Sequence, residues 1–438
     1  VFAALDRALQ GAHGRFPARH RARAEAAAER FVSERLNGTD GLGGIFPAMA
    51  NAVLMYHCLG VPDSDPRVAI AWKALERLVQ DRGEDETYVQ PCLSPIWDTA
   101  LAAHALLEAG GARAEAAARR GLDWLLPRQV NDLRGDWAAV RPDVPPGGWA
   151  FQYANPHYPD VDDTAAVVLA MDRARRLDGP GADPSDRYGA AIDRAARWVV
   201  GMQSRGGGWG AFDADNTNHY LNNIPFADHG ALLDPPTADV SGRCLSMLAQ
   251  LGGDAAEGPE AERAVAYLLR EQEENGAWYG RWGVNYVYGT WSVLTALNAA
   301  GLPPEHPAMR RAVEWLKARQ NPDGGWGEDG FTYPRRGGTR PDGVPAAVAS
   351  TASQTAWALL GLMAAGAVDD PAVERGAQWL MRHQRPDGGW AEEDHTGTGF
   401  PRVFYLRYHG YARIFPLWAL ARLRNLRRGN SRRVAFGL

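Results

Sequence analysis

The chain is organised around a turn that reads Gln320-Asn321-Pro322-Asp323-Gly324-Gly325-Trp326. A second copy of this turn reads Gln384-Arg385-Pro386-Asp387-Gly388-Gly389-Trp390. Pro-Asp-Gly-Gly is a strong turn signal, and glycine commonly follows the last turn of a helix. The stretch therefore predicts a repeated turn after a helix, with glutamine at one end and tryptophan at the other.

Five segments share this arrangement, in which an aromatic residue is followed five positions later by Gln and then by a turn ending in Trp. They are Trp124/Gln129/Trp137, Trp198/Gln203/Trp209, Tyr267/Gln272/Trp278, Trp315/Gln320/Trp326 and Trp379/Gln384/Trp390. A Gln amide can bind backbone groups at a helix end while the indole packs beside it. We expect each turn to tie one repeat to the next.

A second periodicity lies between these turns, where helices rich in Ala, Leu, Val and Gly are predicted to be buried. They begin near Trp97-Asp98-Thr99, Asp162-Asp163-Thr164, Asp239-Val240-Ser241, Tyr288-Gly289-Thr290 and Ser353-Gln354-Thr355, and a last one follows Phe404. The polar residue and Thr at several starts are typical of a helix N-cap. The helices before each Gln carry charged residues on one face and should lie outside.

Alternating inner and outer helices that curve around one axis close into an α/α toroid. The sequence thus predicts an all-α fold, with a six-hairpin barrel over residues 93–438. Residues 1–92 are expected to be the C-terminal part of a second, incomplete α/α barrel domain. Its candidate helices are Arg21–Leu36 and Arg67–Gln80, and its connecting loops are Gly41–Pro47 and Glu84–Pro95.

Composition excludes several classes of protein. The net charge of −5 and the pI of about 6.2 argue against a nucleic-acid binder. Three cysteines form no disulfide framework and favour a reducing compartment, and no Cys/His spacing indicates zinc. We expect neither a signal peptide nor a membrane-spanning helix. Six arginines lie close together near the C-terminal end: Arg422, Arg424, Arg427, Arg428, Arg432 and Arg433. They belong either to a solvated helix end and tail or to a surface that contacts an anionic membrane.

Three carboxylates in four positions stand at the second inner helix, in Pro159-Asp160-Val161-Asp162-Asp163-Thr164. Burying an unpaired carboxylate costs several kcal/mol, so such a stretch is ordinarily a solvated turn with an Asp cap. The other repeats show that Asp163-Thr164 matches a structural cap. They do not explain Asp160 and Asp162, which favours a functional role for the cluster.

Several stretches together resemble the squalene–hopene cyclase family of triterpene cyclases. They are Asp160-Val161-Asp162-Asp163-Thr164-Ala165, the Gln–Trp turns, Arg281-Trp282-Gly283-Val284-Asn285-Tyr286 and Gly397-Thr398-Gly399-Phe400-Pro401. The resemblance runs through essentially the whole chain and covers roughly the C-terminal two thirds of family members. We do not expect the isolated chain to form hopene, since much of the second barrel would be missing.

The resemblance implies two α/α barrels around a large apolar cavity, without a cofactor or metal. The implied reaction protonates the terminal alkene of squalene and closes five rings through cations, ending in hopene or hopanol. The expected partners are squalene or a similar linear isoprenoid, membrane lipid at the cytoplasmic face of the cell membrane, and a second copy of the chain in a homodimer; nucleic acid is not among them.

Residue roles follow from the same resemblance. Asp162 matches the proton donor, with Asp160 and Asp163 beside it, and Arg243 stands where some relatives carry His. Arg243 is either part of the acid site or a structural ion pair, and Asp98 is either a cap or a second polar group near the acid. The aromatic residues matching those of the family's cavity are Trp97, Phe151, Phe212, Trp282, Tyr288, Phe400, Phe404, Tyr408 and Tyr411. The stretch Asn223–Asp228 either lies near the family's channel constriction, as the resemblance implies, or is a surface loop.

Two alternatives remain open from the sequence, and a third is excluded. The acid motif is shared with class II cyclases of other linear prenyl substrates. The chain is otherwise compatible with a catalytically inactive α/α scaffold fragment. Protein prenyltransferase β-subunits share the toroid but need a zinc site that this sequence does not assemble.

Overall fold

The computed structural model describes residues 1–81, 83, 85–177, 187–224, 232–333, 348–429 and 431–438. The helices are α1 (Phe2–Ala12), α2 (Ala18–Arg35), α3 (Phe46–Cys58), α4 (Pro66–Glu76), α5 (Pro95–Ala109), α6 (Ala112–Leu125), α7 (Val161–Arg176), α8 (Gly189–Gly201), α9 (Ala238–Leu251), α10 (Asp254–Glu257), α11 (Pro259–Arg270), α12 (Tyr286–Ala299), α13 (Pro307–Ala318), α14 (Ala352–Ala364), α15 (Pro371–His383) and α16 (Tyr411–Arg428). The strands form two antiparallel hairpins, β1 (Val79–Asp81) with β2 (Thr87–Val89) and β3 (Gly397–Phe400) with β4 (Phe404–Leu406).

Six helices form a closed ring in which each packs against the next: α5, α7, α9, α12, α14 and α16, with α16 returning to α5. These inner helices are largely buried, and every residue of α14 is buried. The outer helices α6, α8, α11, α13 and α15 each pack on the inner helix before them. The predicted all-α toroid of alternating inner and outer helices is confirmed.

The Gln–Trp turns join consecutive repeats through hydrogen bonds. The Gln320 amide donates to Gly324 O within its own turn and to Ala372 O in the first turn of α15, both at 2.8 Å. The Trp326 indole N–H donates to Leu316 O at the end of α13, also at 2.8 Å. Gly324 has a φ of 96°, where a side chain would be strained. Each such turn therefore binds the outer helix before it and the outer helix after it.

An arginine on the following outer helix completes each of four turns, which the sequence analysis did not foresee. It donates to the side-chain oxygen of the Gln in the pairs Arg194–Gln129, Arg263–Gln203, Arg311–Gln272 and Arg375–Gln320. Both ends of these Gln amides are thus bonded, because the amide has donors and acceptors to satisfy. The arginines were predicted only as charged residues on an outward face.

The predicted turn from Gln129 to Trp137 in the first repeat is wrong. The partner of Gln129 is Trp149, whose indole donates to Leu125 O at 2.8 Å, as the other turn tryptophans do to their preceding helices. Gln129 and Trp149 are separated by twenty positions instead of six, so sequence spacing concealed the match. Trp137 instead packs edge-on against Trp198, with ring centroids 6.0 Å apart.

The threonines predicted as caps of three inner helices are not N-caps; α14 is capped instead by Thr351, whose hydroxyl oxygen accepts the N–H of Gln354. Thr164, Thr290 and Thr355 lie within the first turn, and each hydroxyl accepts the backbone N–H of a turn tryptophan at 2.9–3.0 Å. Ser241 does the same for Trp209. The repeated Thr therefore fastens the Gln–Trp turn to the next inner helix.

We expect Gln320→Ala to lower the free energy of unfolding by about 1–3 kcal/mol, because two carbonyls and Arg375 lose a partner in a partly buried site. A lower thermal midpoint in circular dichroism would measure this loss. Gln384→Ala is the matched control, since Gln384 is exposed and its amide is bonded to Gly388 O alone among the described contacts. Equal midpoints for the two variants would contradict the linking role.

A buried ion cluster closes the ring at the end of α5. Glu108 Oε2 accepts from Arg173 of α7 at 2.7 Å and from Arg422 of α16 at 3.2 Å. Burial alone would raise the pKa of Glu108, but the charges of Arg422 and Arg173 outweigh it and lower this pKa to about 2. Arg422 is therefore an interior residue, and contact with a membrane is excluded for it.

Three more of the C-terminal arginines also have partners within the chain. Arg424 donates to Ala109 O at 2.7 Å, Arg427 pairs with Glu374 at 2.7 Å, and Arg432 pairs with Asp369. At these three positions, the contacts within the chain favour a role in the fold over contact with an anionic membrane surface.

His104 packs between α5 and α16, with its ring parallel to that of Trp418 at a centroid distance of 5.1 Å. Burial, aided by the charge of Arg173, lowers the pKa of His104 to about 3. The unfolded chain takes up a proton near pH 6.5, whereas the folded protein does not until about pH 3. Stability should therefore fall by about 1.4 kcal/mol per pH unit from this group as pH drops from 6.5 towards 3.

The variant His104→Phe keeps a ring against Trp418 but removes this titration. Its thermal midpoint is expected to fall less steeply than that of the parent between pH 6.5 and 4. His20→Phe, at an exposed histidine, should retain the parental slope. Identical slopes for the parent and His104→Phe would contradict the assignment.

The N-terminal part contains more regular structure than predicted. The predicted helices Arg21–Leu36 and Arg67–Gln80 correspond to α2 and α4, but Val79 and Gln80 belong to strand β1. Helix α3 begins within the predicted loop 41–47, and the hairpin of β1 and β2 extends into the predicted loop 84–95.

Candidate active site

Helix α7 begins at Val161, and the side chain of the preceding residue, Asp160, caps its first turn. Asp160 Oδ1 accepts the backbone N–H groups of Asp162 at 2.8 Å and Asp163 at 3.2 Å. The Asp160 N–H donates to Trp149 O, and the next N–H donates to Ala211 O, both at 2.7 Å. The cap is thus Asp160 and not Asp163, and two neighbouring turns hold it in place.

All three carboxyls of this cluster are buried, with exposed fractions of 6% for Asp160 and Asp162 and 2% for Asp163. Burial, followed by the charges of its neighbours, raises the pKa of Asp163 well above its usual value. The pKa of Asp160 is also raised by burial and by Asp162, against two backbone hydrogen bonds that favour its carboxylate. The cluster therefore retains protons at a pH where exposed carboxyls are ionised.

Arg243 is the cation of the site. From the second turn of α9, its Nε lies 2.5 Å from Asp162 Oδ1 and its Nη2 lies 3.3 Å from Oδ2. Nη2 also donates to the Tyr288 hydroxyl at 2.7 Å, and the guanidinium lies over the Trp97 ring at 4.9 Å. Burial raises the pKa of Asp162, and Arg243 partly offsets that rise. The arginine thus stabilises the ionised form of the middle carboxyl.

Two further carboxylates hold aromatic residues in position. Asp239 Oδ2 accepts the backbone N–H groups of Arg281 at 2.9 Å and Trp282 at 2.8 Å. Asp234 accepts three backbone N–H groups around Phe212, and its pKa is raised by burial. Asp239 occupies the repeat position of Asp162, whereas no pattern in the sequence indicated Asp234.

An apolar cavity of about 410 Å³ opens beside the carboxyl cluster. Asp160, Asp162 and Asp163 lie in its wall, and Arg243 lies behind them. All nine aromatic residues singled out from the sequence line the same cavity: Trp97, Phe151, Phe212, Trp282, Tyr288, Phe400, Phe404, Tyr408 and Tyr411. The structure thus brings the predicted site residues together; their roles towards a substrate stay predictions.

The aromatic rings of the wall pack against one another in fixed orientations. Tyr408 and Tyr411 are stacked at 4.3 Å, and Trp97 donates its indole N–H to the Tyr411 hydroxyl at 2.7 Å. Phe400 and Phe404 meet edge-on at 4.9 Å. A Cβ added at Gly399 would lie 1.9 Å from the Phe404 ring, so glycine lets this ring lie against the hairpin backbone. Ring faces held in this way can stabilise a cation without trapping it.

Part of the cavity wall consists of residues that no sequence pattern indicated. The N-terminal part of the chain contributes apolar side chains, and the segment before α7 contributes two amides and a phenol. The additional residues are Phe31, Leu42, Ile45, Ala48, Cys92, Gln152, Asn155, Tyr158 and Leu406. The repeat pattern does not extend into the N-terminal part, so it gave no signal there.

Three further features are a predicted channel constriction, metal-ligand clusters and membrane-spanning helices. Of the predicted constriction Asn223–Asp228, residues 225–228 lie outside the described residues, and Asn223 ends a short 3₁₀ turn. In the described part of the chain, no group of three or more His, Cys, Asp or Glu side chains could hold a metal ion. No described helix combines the length and apolarity needed to cross a bilayer.

Comparison with protein families gives two matches. The model described as the squalene-hopene cyclase C-terminal domain matches residues 93–425, and the corresponding N-terminal domain model matches residues 1–84. The first match alone covers most of the chain.

Curated relatives agree with these matches. The chain is 56% identical over 443 residues to the squalene–hopene cyclase of Zymomonas mobilis, which covers 100% of this chain and 66% of that protein. It is 56% identical over 440 residues to the squalene–hopene cyclase of Bradyrhizobium diazoefficiens, covering 100% of this chain and 65% of that protein. The chain thus spans just under two thirds of the length of these relatives.

Among solved structures, the fold is similar to that of ent-copalyl diphosphate synthase from Streptomyces platensis. The TM-score is 0.53 at 21% sequence identity, covering 82% of this chain and 55% of that chain. At this identity the similarity concerns the fold alone.

Proposed function

Because this chain belongs to the squalene–hopene cyclase family, we propose that the full-length protein cyclises squalene to hopene or hopanol. Full-length here means a protein that also carries the N-terminal part present in the relatives. One observation carries the proposal: a buried carboxyl cluster, paired with an arginine, lies in the wall of an apolar cavity whose described lining includes eleven aromatic rings.

Asp162 is the proposed proton donor. An alkene is a very weak base, so its general acid must be neutral and yet strong. Burial favours the neutral carboxyl, while Arg243, which already contacts Asp162, stabilises the carboxylate that remains after proton transfer. The proton goes to the less substituted carbon of the terminal alkene, and the π electrons of that bond form the new C–H bond.

The resulting tertiary cation closes the rings, each closure consuming one double bond and moving the positive charge along the chain. An aromatic face contributes about 2 kcal/mol or more to stabilising such a cation when water is excluded. Proton loss from the last cation gives hopene, whereas addition of water followed by proton loss gives hopanol. The nine predicted aromatic residues are the proposed substrate-binding groups.

The cavity favours a hydrocarbon over a diphosphate substrate. No Lys or Arg belongs to the described residues of its wall, and Arg243 is already engaged with Asp162 and Tyr288. A diphosphate needs several cationic or backbone donors. A linear isoprenoid without a charged end group therefore fits better.

The experiment incubates the full-length protein with squalene and, separately, with geranylgeranyl diphosphate, and identifies the products by mass spectrometry. We expect pentacyclic products from squalene and none from the diphosphate. Cyclised diphosphate without squalene products would instead indicate a class II cyclase of another prenyl substrate. No product from either would indicate an inactive scaffold.

The remaining expectations accompany this proposal. Domains of residues 1–92 and 93–438 are supported by a separate small apolar cluster around Met49, Ala74 and Leu78. Peripheral association with the cytoplasmic face of the cell membrane would give access to squalene, which dissolves in lipid. The homodimer stays a prediction that no described contact addresses.

A further inference from the structure

Each proposed turnover leaves the carboxyl cluster one proton short, so a proton has to return from solvent. Arg243 contacts Asp162 directly, but a guanidinium remains protonated and cannot pass a proton on. The return path must therefore use another group near the cluster.

Asp98 lines a second pocket, separate from the cavity beside the carboxyl cluster. This outer pocket of about 300 Å³ lies between α5, α6 and the start of α16, and its wall includes Asp98, Ala102, Ala117, Gly410 and Ile414. All five residues are partly exposed, so solvent reaches the pocket.

The two oxygens of Asp98 differ in their contacts. Oδ2 accepts the Ser94 hydroxyl at 2.8 Å, whereas Oδ1 is buried and lacks a hydrogen-bond partner among the described residues. Oδ1 faces the start of α16, since a Cβ added at Gly410 would lie 3.8 Å from it. Burial raises the pKa of Asp98 to about 6, against the hydrogen bond from Ser94. The group can thus both hold and release a proton near neutral pH.

The charge of Asp98 also acts on groups that line the inner cavity, since it contributes to the raised pKa of Asp163. Asp98 stands one residue before Thr99, as Asp163 stands one residue before Thr164, and their helices α5 and α7 are packed neighbours. The thiol of Cys92 lines the inner cavity; burial, then Asp98 and Asp163, raise its pKa to about 12. Asp163 Oδ1 is itself buried and lacks a partner among the described residues.

We propose that Asp98 is a relay residue that takes protons from solvent in the outer pocket and passes them to Asp163, from which they return to Asp162. This inference rests on the proposed cyclisation. In each cycle the Asp163 carboxyl gives its proton to the Asp162 carboxylate, and the Asp98 carboxyl then gives its own proton to the resulting Asp163 carboxylate, directly or through water. The Asp98 carboxylate then takes a proton from water or a buffer acid in the outer pocket.

The test compares first-turnover and steady-state rates of Asp98→Asn and Asp98→Glu in the full-length protein with squalene. With enzyme in excess over squalene, each enzyme molecule turns over at most once. Under these conditions Asp98→Asn should form product at a rate within about twofold of the parental rate, because the carboxyl cluster of the variant is protonated before the first turnover. Its steady-state kcat should fall at least about tenfold. Asp98→Glu, which restores a carboxyl, should recover most of that loss.

A second variant leaves Asp98 intact and fills the outer pocket. Ala117→Phe should lower the steady-state kcat while preserving the first turnover, whereas Ala116→Phe, exposed on the same helix, should change neither. This variant decides the matter if Asp98→Asn does not fold.

The proposal is overturned if Asp98→Asn keeps full steady-state turnover, or if it loses both rates equally as a structural defect would. Should Asp98→Asn fail to fold, full steady-state turnover by Ala117→Phe overturns it. A parental protein that forms no product from squalene would instead refute the proposed function on which the relay depends.

Discussion

Asp162→Asn is expected to reduce squalene cyclisation by the full-length protein by about 10⁴-fold, at the upper end of what general acids contribute. The amide keeps the size of the side chain but has no proton acidic enough for an alkene. Asp160 caps α7 with its side chain, so it is poorly placed to replace the missing acid. Product formed per hour from a fixed amount of folded protein measures the effect.

The matched control is Asp193→Asn, which removes one carboxylate from the exposed face of α8. It should retain the parental rate. Thermal unfolding of Asp162→Asn should stay cooperative, since the loss is chemical and not structural. Normal turnover by Asp162→Asn would end its assignment as the donor.

Arg243→Met is expected to lower kcat by about 10²-fold or more. Removing one partner of a buried pair costs about 3–5 kcal/mol if the other stays charged, so Asp162 would hold its proton more tightly and become a weaker acid. Met fills a similar volume without charge. Cyclisation rates normalised to folded protein distinguish this effect from instability.

Arg243→Lys provides the comparison. It keeps the positive charge but loses the two-point contact with Asp162, and the loss of rate should be smaller than for Met. If Arg243 were only a structural ion pair, both variants would lower stability and leave the rate per folded molecule unchanged.

Repeat spacing predicted the toroid because its signals are local. The step from Gln320 to Trp326 is the same in four of five repeats, and it fixes where each outer helix ends. The inner helices followed from runs of small residues between the turns. The aromatic set of the site followed from the family resemblance, and helix starts, loops and the hairpin of β3 and β4 place it around one cavity.

The features that escaped prediction depend on contacts distant in sequence. Asp160 was recognised as an addition to the repeat, but its role as cap requires knowing where α7 begins. Trp149 was missed because a longer loop precedes it. Asp234 and Ile45 lie in segments without periodicity, so only the folded chain shows that they hold or line the cavity.

We propose that the carboxyl cluster at the start of α7 protonates the substrate. The most direct measurement incubates the full-length protein and its Asp162→Asn variant with squalene in D₂O and analyses the products by mass spectrometry and NMR. The parent is predicted to place one deuterium in the first ring, at the carbon that becomes CH₂, and the variant to form about 10⁴-fold less cyclic product. Deuterated pentacyclic product from Asp162→Asn at the parental rate would contradict the account.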